Sequence, residues 1–525
     1  MIDGELRGPP YKGFISGRCL SVLMQAAPHP VVVQQPVNPV AEHVYMLPQV
    51  EALSPPPPGM VLGRSRSQWS TIWRMLGLVL VTFLLVNLLV VIPMGIVENA
   101  PDMSFISALC SLPVLLLFIF IRRPRLIHVM LAEPSETGVT AHPLPGERTL
   151  TTPMKTRFRH HLVRDSTLLD IPATKNLWAI FFVAIAISVT LFVMMLASPD
   201  NLLLLQFAIL VGIPCWLIGF GVPVFAWMSY STRSLGLPTR RHEAEAALTA
   251  GFVSTLPALI INSVLFPMLL FSIGIDQLST IGEFLILTIS APVGEELCKA
   301  GAVLCCYHMI DSPRRGFQIG FTVGLGFAML ENILYITSSM FAGGFGGFAF
   351  TAFLRGIGSI PGHAVWTGLS GLGIGWLLSK KPRLGGLLPE KTKAQDAGFI
   401  LMDSKTGRVV QDATGTGATT ATGALAMWDV NRYLSTVHHS KRKHWKLPRT
   451  PMIGIGLAIL GHAFWNGSST IVLLVVEKAA GETAAILAML GWTLIMVSGL
   501  LWIGKNIMDS LHSVPSTVDN DFNSD

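Results

Sequence analysis

The sequence predicts an all-α fold, a polytopic transmembrane helix bundle of about ten spans with N-terminus and C-terminus both inside. Three observations predict it. The composition suits a membrane: of 525 residues, 51% are hydrophobic and only 13% charged, with a mean hydropathy of +0.56, far from the soluble average. Runs long enough to cross about 30 Å of hydrocarbon, roughly 20 residues each, occur at 72–96, 103–121, 177–197, 202–230, 246–271, 282–308, 317–337, 347–379, 452–476 and 483–504. With these ten spans and the N-terminus inside, the inner segments carry 33 Lys and Arg while the outer connections carry one, Lys478, the asymmetry that marks cytoplasmic loops.

The net charge of +6 does not point to nucleic acid. The basic residues gather beside the apolar segments rather than on a soluble face, so the expected charged partner is a bilayer with anionic headgroups, that of the plasma membrane.

Each element follows in order. Residues 1–71 are Pro-rich ("VVVQQPVNPVAEH", "LSPPPPG") and lack a positive segment leading into an apolar core, which reads as a disordered cytoplasmic tail rather than a cleaved signal. Residues 72–271 supply five accessory spans with a basic inner loop at 122–176. Residues 282–379 and 452–476 form the core of interest, where the run 347–379 is too long for one straight crossing and "GIGSIPGH" offers a place to bend. Residues 380–451 are a cytoplasmic insertion. Within it "GFILMDSKTGRVVQD" reads as a short hairpin turning at Lys405 to Gly407, and "HHSKRKHWK" as a headgroup contact, with a metal site on His438, His439 and His444 as the weaker reading. Residues 483–504 are the last span and 505–525 a polar tail. Five of the six cysteines, Cys110, Cys215, Cys298, Cys305 and Cys306, lie in apolar spans without a CxxC pattern and read as small buried hydrophobes.

The sixth span contains the anomaly. In "LTISAPVGEELCKAGAVLCCYHMI" the ionisable Glu295, Glu296 and Lys299 stand where lipid should be. At about 2.5 to 3.5 kcal/mol per mid-bilayer charge, these three and Glu331 would together cost on the order of 10 kcal/mol if nothing compensated. Local pairing offers one compensation, since Glu295 and Glu296 precede Lys299 by four and three residues. Pairing does not account for the next three spans. "GFAMLENILY" puts Phe327 one turn from Glu331 and Asn332 beside it, "PGHAVWTG" puts His363 one turn from Thr367, and "LGHAFWNG" puts His462 one turn from Asn466. Counted from the span ends, Glu295, Glu331, His363 and His462 share one depth near mid-membrane. Glycines at Gly320, Gly324, Gly371, Gly375, Gly454 and Gly456 would let these helices approach closely. Arg355, also within a span, reads as a ligand of a backbone carbonyl or lipid headgroup.

"EELCK", "FAMLEN", "HAVWT" and "HAFWN", on successive spans, resemble the EExxK, FxxxEN, HxxxT and HxxxN signatures of PrsW-type intramembrane proteases, within the broader group of CAAX prenyl endopeptidases and bacteriocin-processing enzymes (the CPBP superfamily). The resemblance covers roughly residues 282–476. It implies hydrolysis of a peptide bond in a membrane-anchored protein, an anti-sigma factor in the best-known members. It maps the paired acids onto Glu295 and Glu296, the third acid onto Glu331, and the histidines onto His363 and His462.

Peptide hydrolysis needs an activated water, a group that stabilises the oxyanion and a proton donor for the leaving amine. Glu295 or Glu296 is the expected base beside Lys299, with Asn466 and one histidine as oxyanion donors. If a metal takes part, Glu331, His363 and His462 form an open N,N,O set for Zn²⁺, by analogy with the family more than by ligand spacing; without one, a glutamate-activated water works with His363, His462 and Asn466 as hydrogen-bonding partners. The alternative is a proton- or cation-coupled transporter using the same Glu and His cluster. The acidic motifs sit in one group of spans with none in the first five, which disfavours the repeated halves of such transporters.

Overall fold

The structure is a computed structural model that describes residues 68–124, 126–144, 148–164, 169–237, 239–380 and 445–514. The expected tail, the hairpin around Lys405, and His438, His439 and His444 lie outside the described residues. The chain divides into two compact units.

One unit contains an antiparallel hairpin of β1 (Leu126–Leu144) and β2 (Arg148–Arg164), in register from Leu126 opposite Arg164 to Leu144 opposite Arg148. The register shifts between Pro134 and Val139, consistent with a residue that cannot donate to the ladder. The sequence reading takes this stretch as loop only, because it weighs the basic charge and not the backbone pairing.

The other unit is all helix. Its elements are α1 (Trp69–Val97), α2 (Pro101–Arg122), α3 (Thr174–Ala197), α4 (Leu202–Leu235), α5 (Arg241–Ile260), α6 (Phe266–Ser272), α7 (Thr280–Leu285), α8 (Ala291–Cys305), α9 (Pro313–Leu354), α10 (Ile360–Lys380), α11 (Pro451–Ala480) and α12 (Glu482–Leu511). Local chemistry sets several starts. Ser312 and Thr450 accept from the backbone N–H of Arg315 and Ile453, and each is followed by a proline at the first helical position, the residue order that caps orphan amides best. Three π-helical turns, Ile261–Leu265, Ile286–Ser290 and Arg355–Ser359, join α5 to α6, α7 to α8 and α9 to α10 without breaking the helical path.

Among the described residues, eight helical runs are long and apolar enough to cross a membrane, where the sequence pattern suggests ten. Two causes account for the difference. Residues 313–379 count as one run, yet the backbone leaves helical geometry at Gly343 and Gly344, and Gly344 takes φ +56°, a region only glycine enters freely. The expected spans 317–337 and 347–379 are the two arms of this run. The expected span 282–308 falls in α7 and α8, where Glu283, Glu295, Glu296 and Lys299 interrupt the apolar character.

The arms lie antiparallel and unusually close. A Cβ on Gly316, Gly320 or Gly324 would meet the carbonyl oxygens of Gly371, Thr367 and His363 at 2.3, 2.4 and 2.3 Å, so only hydrogen at these positions allows the approach. Phe317, Phe321, Leu325, Met329 and Ile333 of α9 are fully buried against the surrounding helices, making α9 the centre of the bundle. Gly454 packs against Leu369 in the same way, whereas Gly456 faces open space. Cys215 and Cys306 are buried as expected, but Cys110 and Cys305 are exposed on outward helix faces.

Segments expected on the inner side bond to one another. Arg314 donates to the carbonyls of His512 and Val514 at 2.8 and 2.7 Å, the Trp445 amide donates to Ser510, and Arg241 donates to Ser70.

Candidate active site

The site is assembled around one lysine. Lys299 on α8 is fully buried, and its Nζ donates to Glu295 Oε2 at 3.1 Å, Glu296 Oε1 at 2.8 Å and His363 Nδ1 at 2.9 Å. An ammonium has three hydrogens, so its donor capacity is complete. It also lies 3.9 Å from the centroid of the Phe327 ring, a desolvated cation–π contact worth about 2 kcal/mol. That contact explains the aromatic residue one turn before Glu331.

Lys299 decides the state of His363. Because an ammonium only donates, Nδ1 of His363 must be the acceptor. Nε2 then carries the hydrogen and donates to Glu331 Oε2, 3.0 Å away. His462 is placed differently. Its Nδ1 lies 3.1 Å from Glu296 Oε1 and donates to it, leaving Nε2 with its lone pair. The ring is fixed by stacking on Trp366 at 5.0 Å and by an edge contact to His363 at 5.1 Å.

The paired acids are not equivalent. Glu296 is fully buried, with Oε1 shared by Lys299 and His462 and Oε2 accepting from Thr367 at 3.4 Å. Glu295 retains slight exposure, and among the described residues its Oε1 receives no hydrogen bond. The third acid, Glu331, accepts from Arg355 Nη2 at 2.6 Å as well as from His363. Arg355 Nε donates to Asn332 Oδ1. Arg355 therefore meets side chains rather than the backbone carbonyl or headgroup that the sequence suggests. The missed signal is a charge one: Glu331 has no cation in its own span, and Arg355 is the remaining mid-span cation.

The π turns border this cluster. Asn466, one turn beyond His462, donates from Nδ2 to the Leu287 carbonyl at 3.0 Å, inside the second π turn. Ser290 of the same turn donates to Asn262 of the first at 2.9 Å, and Arg355 opens the third. Such turns free backbone groups and shift side-chain register, which is why they recur at functional sites. The expected oxyanion donor Asn466 thus has one amide hydrogen engaged and one free.

Donor atoms of Glu295, His363 and His462 lie within 4.8 Å of one another, a grouping able to hold a metal ion. Two imidazoles and a carboxylate match zinc in kind. The group differs by one acid from the expected Glu331, His363 and His462: Glu331 instead pairs with Arg355 and accepts from His363 Nε2.

Residues 239–389 match the PrsW family intramembrane metalloprotease model. The match includes Glu295, Glu296, Lys299, Glu331, Arg355 and His363, reaches upstream into α5, and ends before His462 and Asn466. No curated protein and no solved structure matches the chain.

Proposed function

We propose that this chain, a PrsW-type intramembrane protease by its domain at residues 239–389, hydrolyses a peptide bond of a membrane-spanning protein with a water activated by Glu295. The membrane is the plasma membrane, whose anionic inner leaflet suits the basic inner segments. The observation that carries the reading is the inequality of the paired acids: Glu296 is closed by Lys299, His462 and Thr367, while Glu295 has one oxygen held by Lys299 and one free.

Glu295 Oε1 accepts a proton from water as the oxygen attacks the scissile carbonyl, and returns that proton to the leaving amine. General base and acid work of this kind contributes about 10² to 10⁴ in rate. Lys299 holds Glu295 in place and keeps positive charge beside the developing oxyanion. The free amide hydrogen of Asn466 donates to that oxyanion, a contact typically worth about 10² to 10³. Glu296 orients His462 through Nδ1–H, so that Nε2 faces the reaction with its lone pair.

The metal would be zinc, held by the imidazoles of His363 and His462 beside Glu295. When bound, zinc would polarise the carbonyl and acidify the water.

The test uses purified chain in liposomes with a panel of single-span peptides carrying a fluorophore and a quencher on either side of the span. In heavy-oxygen water, cleavage should place one labelled oxygen in the new carboxylate, and elemental analysis should find about one zinc per chain. Proton or cation flux with every peptide intact would contradict the reading in favour of transport.

A further inference from the structure

Arg355, partly buried, is the second cation of the cluster, and the hydrolytic roles above make no use of it. It opens the π turn between α9 and α10, on the arm that returns beyond Gly343 and Gly344. From there its guanidinium grips two adjacent side chains of the first arm. Nη2 donates to Glu331 Oε2 at 2.6 Å and Nε donates to Asn332 Oδ1. The guanidinium carbon also lies 4.1 Å from the ring centroid of Tyr335, one helical turn beyond Glu331.

This is more than charge balance. Arg355 can only donate, so it dictates which end of the Asn332 amide faces it. Asn332 is fully buried, and among the described residues its Nδ2 is left without a partner. A buried unpaired donor is unfavourable, and the amide keeps this orientation because the guanidinium holds it. A forked, planar guanidinium can take two acceptors and stack on a ring at once; a lysine in its place cannot.

What Arg355 holds bears on the reaction. The Glu331 oxygen it grips is the one that accepts Nε2–H of His363, while Nδ1 of that ring accepts from Lys299, which holds Glu295. If Glu331 turned away, the His363 ring would lose the contact that sets its orientation, and Lys299 its third acceptor.

We infer that Arg355 is a positioning residue of the protease site: by clamping Glu331 and Asn332 it fixes His363, and through His363 the Lys299 ammonium that holds Glu295. The inference rests on the protease reading, and the two fail separately.

The experiment measures kcat, KM and melting temperature in liposomes for the parent chain, Arg355→Lys, Arg355→Gln, Glu331→Gln and the double variant Glu331→Gln/Arg355→Gln. The substrate is the single-span quenched peptide that the parent cuts fastest. Arg355→Lys keeps the charge and should melt with the parent, yet lower kcat about 10- to 100-fold, the usual cost of losing a group that orients a site residue, with KM within about threefold. The double variant should cut no more slowly than Glu331→Gln alone, since Arg355 acts through Glu331. Parental kcat in Arg355→Lys would overturn the inference, as would a double variant slowed by the full product of the single effects. Failure of both Arg355 variants to fold also counts against it, since Arg355 would then be structural. Failure of the parent to cut any peptide would instead remove the protease reading.

Discussion

Two ion clusters in this bundle put carboxylates and cations to opposite ends. In the first, Glu245 of α5 receives Arg74 of α1 on one oxygen and Arg241 on the other. Arg74 also donates to the carbonyls of Ile121 and Arg123 at the end of α2, at 2.9 and 2.8 Å, and Arg241 donates to Ser70 at 2.7 Å. Two cations meet one acid, both carboxylate oxygens are taken, and the surplus donors close a helix end. In the second, three acids meet Lys299 and Arg355, two imidazoles are interposed, and a carboxylate oxygen of Glu295 and Nε2 of His462 stay open. A cluster that closes its valences ties helices together; one that leaves an acceptor open at the end of a rigid network is ready for a proton.

The first cluster can be broken without touching the second. Glu245→Gln leaves two arginines without their carboxylate and should cost about 3–5 kcal/mol of stability, the usual result of removing one partner from a buried pair. Cleavage per folded molecule should stay within about twofold, because no group of the catalytic network contacts Glu245. Denaturant melting in detergent, paired with peptide cleavage, checks both halves; a lost kcat with unchanged melting would erase the distinction between the clusters.

A smaller effect sharpens the comparison from the packing side. Gly324→Ala would set a methyl 2.3 Å from the His363 carbonyl, forcing α9 and α10 apart at a cost of about 1–3 kcal/mol, with slower cleavage because the displaced backbone carries His363. Gly456→Ala, with nothing within 4 Å of the added carbon, should leave melting and cleavage unchanged. Equal effects at the two glycines would mean that the close approach has no part in the site.

These contrasts separate what the sequence displays from what it hides. Glu295, Glu296, Lys299, Glu331, His363, His462 and Asn466 are conspicuous because polar groups in apolar spans need a reason, and helical spacing puts each set on one face. The glycine rows likewise announce a close crossing of α9 and α10. Partner choice is hidden. That Arg355 would reach back 24 positions to Glu331 depends on the fold at Gly343 and Gly344 and on a π turn, neither of which has a period to read. Which acid is closed and which open depends on where the fold brings Thr367 and His462, both of which meet Glu296. The count of apolar runs differs from the expected ten for a related reason: the segment that holds Glu295, Glu296 and Lys299 is the least apolar, and the two arms of the glycine hairpin merge into one helical run.

The central claim is that Glu295 handles the proton of the attacking water while its neighbours only hold it. The most direct measurement is the cleavage rate and melting temperature of Glu295→Gln in liposomes, beside Glu245→Gln. The amide keeps the shape and can still accept from Lys299, but it cannot take a proton, so kcat should fall by about 10² or more with melting near that of the parent. Parental cleavage by a correctly folded Glu295→Gln would contradict the account.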